Sequence, residues 1–231
     1  MSLASAMTDA SLETRWFPIA ASHDLPLRHV YHAQLLGQEF AVWRADDGFV
    51  NVWENRCLHR GVRLSLGHNL GDQLKCQYHG WLYSNRTSNC TYIPAHPENA
   101  PARLICNQVY PSVERHGLIW SSVNGTDAPQ SLAAGDVAEG VVLRSIPVSE
   151  PADTVVEALS TQGDVPLKRV ADFELAGNGV SVFVQPVDEG RAIIRGTASL
   201  AGEDKISFLR FHNDWMTRLR DRLEAKAGAA A

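Results

Sequence analysis

Two short stretches hold the residues best suited to chemistry: Cys57-Leu58-His59-Arg60-Gly61 and Cys76-Gln77-Tyr78-His79-Gly80-Trp81. Each supplies one thiol and one imidazole, and nothing else in the chain offers so compact a ligand set. Two thiolates and two imidazoles suit soft or borderline metals, either a tetrahedral zinc or a 2Fe-2S cluster. A zinc finger usually groups its cysteines at one end and its histidines at the other. Here each stretch is mixed: C-x-H, sixteen intervening residues, then C-x-x-H. Mixed loops suit a pair of metals, because each loop can give its cysteine to one and its histidine to the other. Chemistry and spacing alone leave both metals open.

At these residues the chain resembles the Rieske 2Fe-2S family, whose two cluster loops carry the patterns C-x-H-R-G and C-x-Y-H-G-W. The resemblance implies one 2Fe-2S cluster, with Cys57 and Cys76 on one iron and His59 and His79 on the other. Neutral imidazoles in place of two thiolates remove negative charge and make such a centre easier to reduce. Around the ligands, Gly61 is expected to let backbone N–H groups approach sulfur. Arg60 is expected to face solvent, and Trp81 to shield one side from water. Gln77 stands where the family usually has proline. Val62 and Tyr78 stand where respiratory-chain members carry an additional disulfide-bonded pair, so the likeness is to the soluble ferredoxin and oxygenase branch. The remaining cysteines, Cys90 and Cys106, are read as free thiols in a reducing compartment.

Composition narrows the function classes. The 231-residue chain has a formal charge of −5 with its Lys and Arg scattered, which argues against a phosphate-binding face and nucleic acid. No stretch has the continuous apolar length of a membrane span, and the first residues lack the basic and apolar segments of a signal peptide. A cytoplasmic location is the expectation.

The elements that must position the ligands follow. Trp16-Phe17-Pro18-Ile19-Ala20 is the first apolar run and resembles the opening of Rieske oxygenase subunits. Phe40–Arg44 and Phe49–Trp53 flank an Asp46-Asp47-Gly48 turn, which predicts a β-hairpin feeding Cys57. Leu74-Lys75-Cys76 reads as a strand entering the second loop, and Gly80-Trp81-Leu82-Tyr83 leaves it. Ile93-Pro94 resembles the family's segment after that loop, and alternating residues over 103–123 predict closing strands. His29, His32, His68 and His116 belong to no paired unit and are read as surface or turn residues.

A Gly, Ala, Pro, Ser and Asp-rich stretch places a linker at 126–139 between a domain at 1–125 and another at 140–231. The second region predicts a strand at 140–146, a short helix through 154–159 with Ser149 as its cap, and three strands at 167–175, 180–187 and 191–200. A long helix over about 205–226 carries Phe208, Phe211, Trp215, Leu219 and Leu223 on one side. The fold class expected is mainly β: an antiparallel Rieske domain followed by a small α+β domain that resembles a truncated helix-grip fold. In oxygenases of the family the latter holds a mononuclear iron on two histidines and a carboxylate. Beyond residue 120 this chain has one histidine, His212, so no mononuclear iron and no catalytic residue are expected. The resemblance then implies an electron-transfer or accessory subunit, reduced by a reductase or ferredoxin and working with a full-length oxygenase subunit or as a homo-oligomer such as a trimer. The alternatives are an oxygenase component, whether monooxygenase, demethylase or ring hydroxylase, and a redox-sensing structural protein.

Overall fold

In the computed structural model the described residues are 12–98, 104–126, 140–162, 166–177, 179–200 and 204–230. They divide into two compact units, one of residues 12–98, 104–114 and 119–126, the other of residues 115–118 together with 140–230. From residue 127 onward the expected linker lies outside the described residues.

Three small sheets build the first unit, except that Arg115 and Leu118, at the ends of two of their strands, belong to the second. Strand β1 (Phe17–Ala21) lies in a sheet with β9 (Ser112–Arg115) and β10 (Leu118–Ser121), in the order β1-β10-β9. The second sheet is β2 (Val30–Leu35), β3 (Gln38–Arg44) and β4 (Val50–Glu54), antiparallel throughout. Its β3–β4 hairpin turns at Gly48, whose φ of 83° suits a residue without Cβ, and the Gly48 N–H donates to the Ala45 carbonyl at 3.0 Å. The third sheet runs β5 (His68–Asn69), β6 (Gln73–Lys75), β7 (Leu82–Ser84) and β8 (Cys90–Tyr92) in chain order. Trp43 and Trp53 meet edge to face at 5.1 Å in a core that also holds Leu64, Leu74, Tyr83 and three cysteines, Cys57, Cys76 and Cys90. The first Cys/His loop therefore hangs between β4 and β5, the second between β6 and β7, and both are rooted in packed side chains.

The second unit is one antiparallel sheet with two helices. Strands β11 (Gly140–Val142) and β12 (Ile146–Val148) both pair with β16 (Arg191–Ser199), so the single strand expected at 140–146 is interrupted at Leu143-Arg144-Ser145. The run expected at 167–175 is likewise two strands, β13 (Lys168–Ala171) and β14 (Glu174–Gly177), joined by a turn at Asp172-Phe173 that no Gly or Pro announces. With β15 (Val180–Asp188) the order is β11-β16-β15-β14-β13. Helix α1 (Ala152–Gln162) starts too late for Ser149 to cap it. Helix α2 (Lys205–Ala230) is capped instead by Asp204, whose carboxylate accepts the Ser207 N–H at 2.9 Å.

Both helices share one core with Leu175, Val180, Val182, Val184, Ile194 and Ala198 of the sheet. On α2 the buried stripe is Phe208, His212, Trp215, Met216, Leu219 and Leu223, while Phe211 is 51% exposed. At 100° per residue Phe211 falls on the shoulder of that stripe and Met216 inside it. The opposite face of the sheet is also buried and mixes Phe183 and Val187 with the polar Glu174, Ser181, Gln185, Arg195 and Thr197. Arg195 donates there to Gln185 Oε1 and Ser145 Oγ, both at 2.7 Å. No helix among the described residues is long and apolar enough to cross a membrane.

Candidate metal centre

The two loops repeat one backbone frame. In the first, the Cys57 N–H donates to the Val62 carbonyl at 2.9 Å and the Gly61 N–H to the Cys57 carbonyl at 2.8 Å. In the second, the Cys76 N–H donates to the Trp81 carbonyl at 2.8 Å and the Gly80 N–H to the Cys76 carbonyl at 3.1 Å. Gly61 and Gly80 sit at φ of 69° and 71°, a region that side chains with Cβ resist. A Cβ on Gly61 would meet nothing within 4 Å, so it is this conformation, not a close approach, that requires glycine there. The repeat is Cys-x-x-x-Gly, with the imidazole at the second position after Cys57 and the third after Cys76.

That offset sorts the donors. Cys57 and Cys76 are 3% and 1% exposed, and their thiols are close enough to perturb each other's ionisation. His59 and His79 are exposed, with ring centroids 4.6 Å apart. Trp81 lies parallel to the His59 ring at 4.9 Å and packs against the core beneath, covering one flank of the pair. Arg60 is exposed, beside His59 in the chain.

Donors converge on the sulfurs. The neighbouring Cys76 thiol, the Tyr83 hydroxyl and the His59 N–H pull the Cys57 thiol well below its ordinary range. The neighbouring Cys57 thiol and burial push Cys76 up, although the Tyr78 and His79 N–H groups favour its thiolate. Tyr83 Oη lies 3.2 Å from Cys57 Sγ and accepts the Leu58 N–H at 3.3 Å, which leaves its own hydrogen for the thiolate. Burial and the neighbouring Cys57 raise the Tyr83 pKa, so it remains a donor. A hydrogen bond of this kind favours the more negative, reduced state of a centre bound at Cys57. Tyr83→Phe is therefore expected to lower the reduction potential by about 40 mV, the equivalent of about 1 kcal/mol for one electron. Redox titration checks this, and an unchanged potential would remove Tyr83 from the site.

Two further features escaped the sequence reading. Glu39 on β3 clasps the base of the first loop: its carboxylate binds Arg63 through two nitrogens and Arg56 at 3.1 Å, and those arginines are bridged across the loop. Arg63 holds the Glu39 carboxyl below the usual carboxylate range. His96 joins His59, His79, Trp81 and Ile93–Ala95 around a cavity of about 370 Å³ beside the two imidazoles. His68 is exposed on β5, His116 sits at a turn with φ of 53°, and neither stands in this group. Cys90 is buried, Cys106 is exposed, and both are free.

The donor set fits a 2Fe-2S cluster. Among the described residues no three His, Cys, Asp or Glu side chains converge as a single metal ion would need. The thiols meet each other and the imidazoles meet each other, an arrangement for two bridged metals and not for one tetrahedral zinc. The comparisons agree. Residues 15–111 match the family described as Rieske [2Fe-2S] domain, and the first unit of this chain is such a domain, which implies a 2Fe-2S cluster.

Among proteins, it is similar to oxidoreductase NdmD of Pseudomonas putida, 55% identical over 109 residues that make up 47% of this chain and 18% of that protein. It is also similar to the toluene-4-sulfonate monooxygenase system iron-sulfur subunit TsaM1 of Comamonas testosteroni, 35% identical over 46% of this chain and 29% of that protein. The methylxanthine N1-demethylase NdmA of Pseudomonas putida is 31% identical over 56% of this chain and 39% of that protein. The chain thus spans less than two fifths of the length of these relatives. Among solved structures, NdmA of Pseudomonas putida CBB5 covers 93% of this chain and 82% of its own at a TM-score of 0.70 and 18% identity. Apo dicamba monooxygenase covers 91% and 84% at 0.72 and 18%. At that identity the likeness is one of fold: mainly β, with antiparallel sheets and two helices.

Proposed function

We propose that this chain carries single electrons through a 2Fe-2S cluster held by Cys57, His59, Cys76 and His79, as an electron-transfer or accessory component of a Rieske-type oxygenase system without a mononuclear iron site of its own. The observation that carries this is the pair of matched loops, which bury two thiols and present two adjacent imidazoles at the surface. When bound, such a cluster supplies a one-electron carrier. The residues do the rest. Tyr83 and the loop N–H groups stabilise thiolate charge, Trp81 fixes the His59 ring and excludes water from one flank, and Glu39 pins the first loop to the hairpin. The exposed imidazole edges are where a reductase or ferredoxin, and then a full-length oxygenase subunit or another copy of this chain, would approach.

The absence of a second iron site is supported by His212. It is 5% exposed in the α2 core, with Nδ1 hydrogen-bonded at 2.9 Å to the Phe208 carbonyl one turn earlier. A second reading, a complete oxygenase component, draws on the fold match that extends across 93% of the chain. Reductive titration separates them. Uptake of one electron per chain, with no oxygen consumption until another chain is added, is the expected result. A chain that consumes oxygen and converts substrate with a reductase alone would favour the second reading.

A further inference from the structure

The cluster loops differ in charge from the chain that carries them. Residues 56–63 and 75–82 contain Arg56, Arg60, Arg63 and Lys75 and no Asp or Glu, whereas the whole chain has a formal charge of −5. Arg56 and Arg63 share one carboxylate, Glu39. Arg60 and Lys75 are exposed and enter no ion pair among the described residues. The Lys75 side chain runs beside the second loop, its Cε 3.5 Å from where a Cβ on Gly80 would sit.

Beside these cations lies apolar surface. Leu58 is 46% exposed and Tyr78 is 63% exposed, one on each loop, and the cavity beside His59 and His79 adds a concave wall from Trp81 and Pro94. The segment 93–98, whose first four residues line that cavity, contributes one acidic residue, Glu98. Apolar surface bordered by charge of one sign is the anatomy of a docking surface that gains speed and register from a partner of opposite sign.

Resting on the electron-transfer reading, we propose that this tip docks an acidic redox protein whose own centre is rimmed by carboxylates facing Arg60 and Lys75. In the encounter the reduced partner loses one electron and this chain gains one, with no bond made or broken. Local charge, not net charge, then governs association.

The test uses the cluster-loaded chain and two small probes of opposite sign, hexacyanoferrate(III) and tris(phenanthroline)cobalt(III), each taking one electron from the reduced protein in stopped flow. The rate with hexacyanoferrate is expected to fall several-fold as ionic strength rises from about 0.01 to 0.5 M, and the rate with the cobalt cation to rise. Lys75→Glu, and Arg60→Glu where it retains the visible spectrum, should slow the anionic probe several-fold at low salt. Arg28→Glu, at an exposed arginine of the same unit that pairs with Asp46 at the other end of β4 from Cys57, makes the same change in net charge and should change both rates far less. A hexacyanoferrate rate that climbs with salt, as the net charge alone would dictate, overturns the docking proposal and leaves the electron-transfer reading standing. So does an equal effect of Lys75→Glu and Arg28→Glu. A chain that exchanges no electrons with either probe overturns both.

Discussion

Cys57→Ser is expected to abolish the metal centre and to unfold the loop that carries it. The sulfur is almost fully buried, and the Tyr83 hydroxyl and the His59 N–H converge on it. A serine hydroxyl is a poor ligand for iron and stays protonated at neutral pH, so it answers neither the charge the site expects nor those donors. Loop order and metal binding are coupled, because a preformed site seldom survives without its ion. Iron and acid-labile sulfide should fall to under about one tenth of the wild-type content, with loss of the visible absorption bands and an earlier thermal transition of the first unit. Cys106→Ser provides the control, since that thiol is exposed and lies outside the site. Full iron content and an unaltered spectrum in Cys57→Ser would remove Cys57 from the ligand set.

Glu174→Gln is expected to stabilise the second unit at alkaline pH and to change little in acid. Glu174 is 8% exposed on the mixed face of the sheet, and its Oε1 has no hydrogen-bond partner. Burial raises its pKa from 4.5 to about 7. The folded chain therefore holds this proton more tightly than the unfolded chain does. The contribution of this group to stability is complete below pH 4.5, declines as pH rises towards 7, and is lost above that, by about 3 kcal/mol in total. Glutamine carries no charge at any pH and removes that slope. The difference between variant and wild type, followed by denaturant unfolding from pH 4.5 to 8.5, should open across this interval in favour of the variant. Parallel curves would mean that the carboxyl is solvated in the folded protein.

What was legible in the residues is what depends on near neighbours. The hairpin around Gly48, the loops that begin at Cys57 and Cys76 and the strands on either side of Gly190 all announce themselves through turn residues and alternation. The strand expected over 167–175 failed because its turn at Asp172-Phe173 carries neither Gly nor Pro. Phe211 was misplaced because a stripe read by spacing alone does not show which edge of the helix meets the sheet. Tyr83 and Glu39 lie 26 and 24 residues from the atoms they serve, and no local pattern marks such partners. One signal was there to be read: Cys-x-x-x-Gly occurs in both loops, and that repeat is what gives them the same backbone frame.

The measurement closest to the centre of this account is the metal and sulfide content of the purified chain. Two irons and two acid-labile sulfides per chain, lost together in Cys57→Ser, are the expected result. Zinc in place of iron would contradict the electron-transfer function altogether, and a third iron that survives in Cys57→Ser would return an oxygen-activating site to the chain.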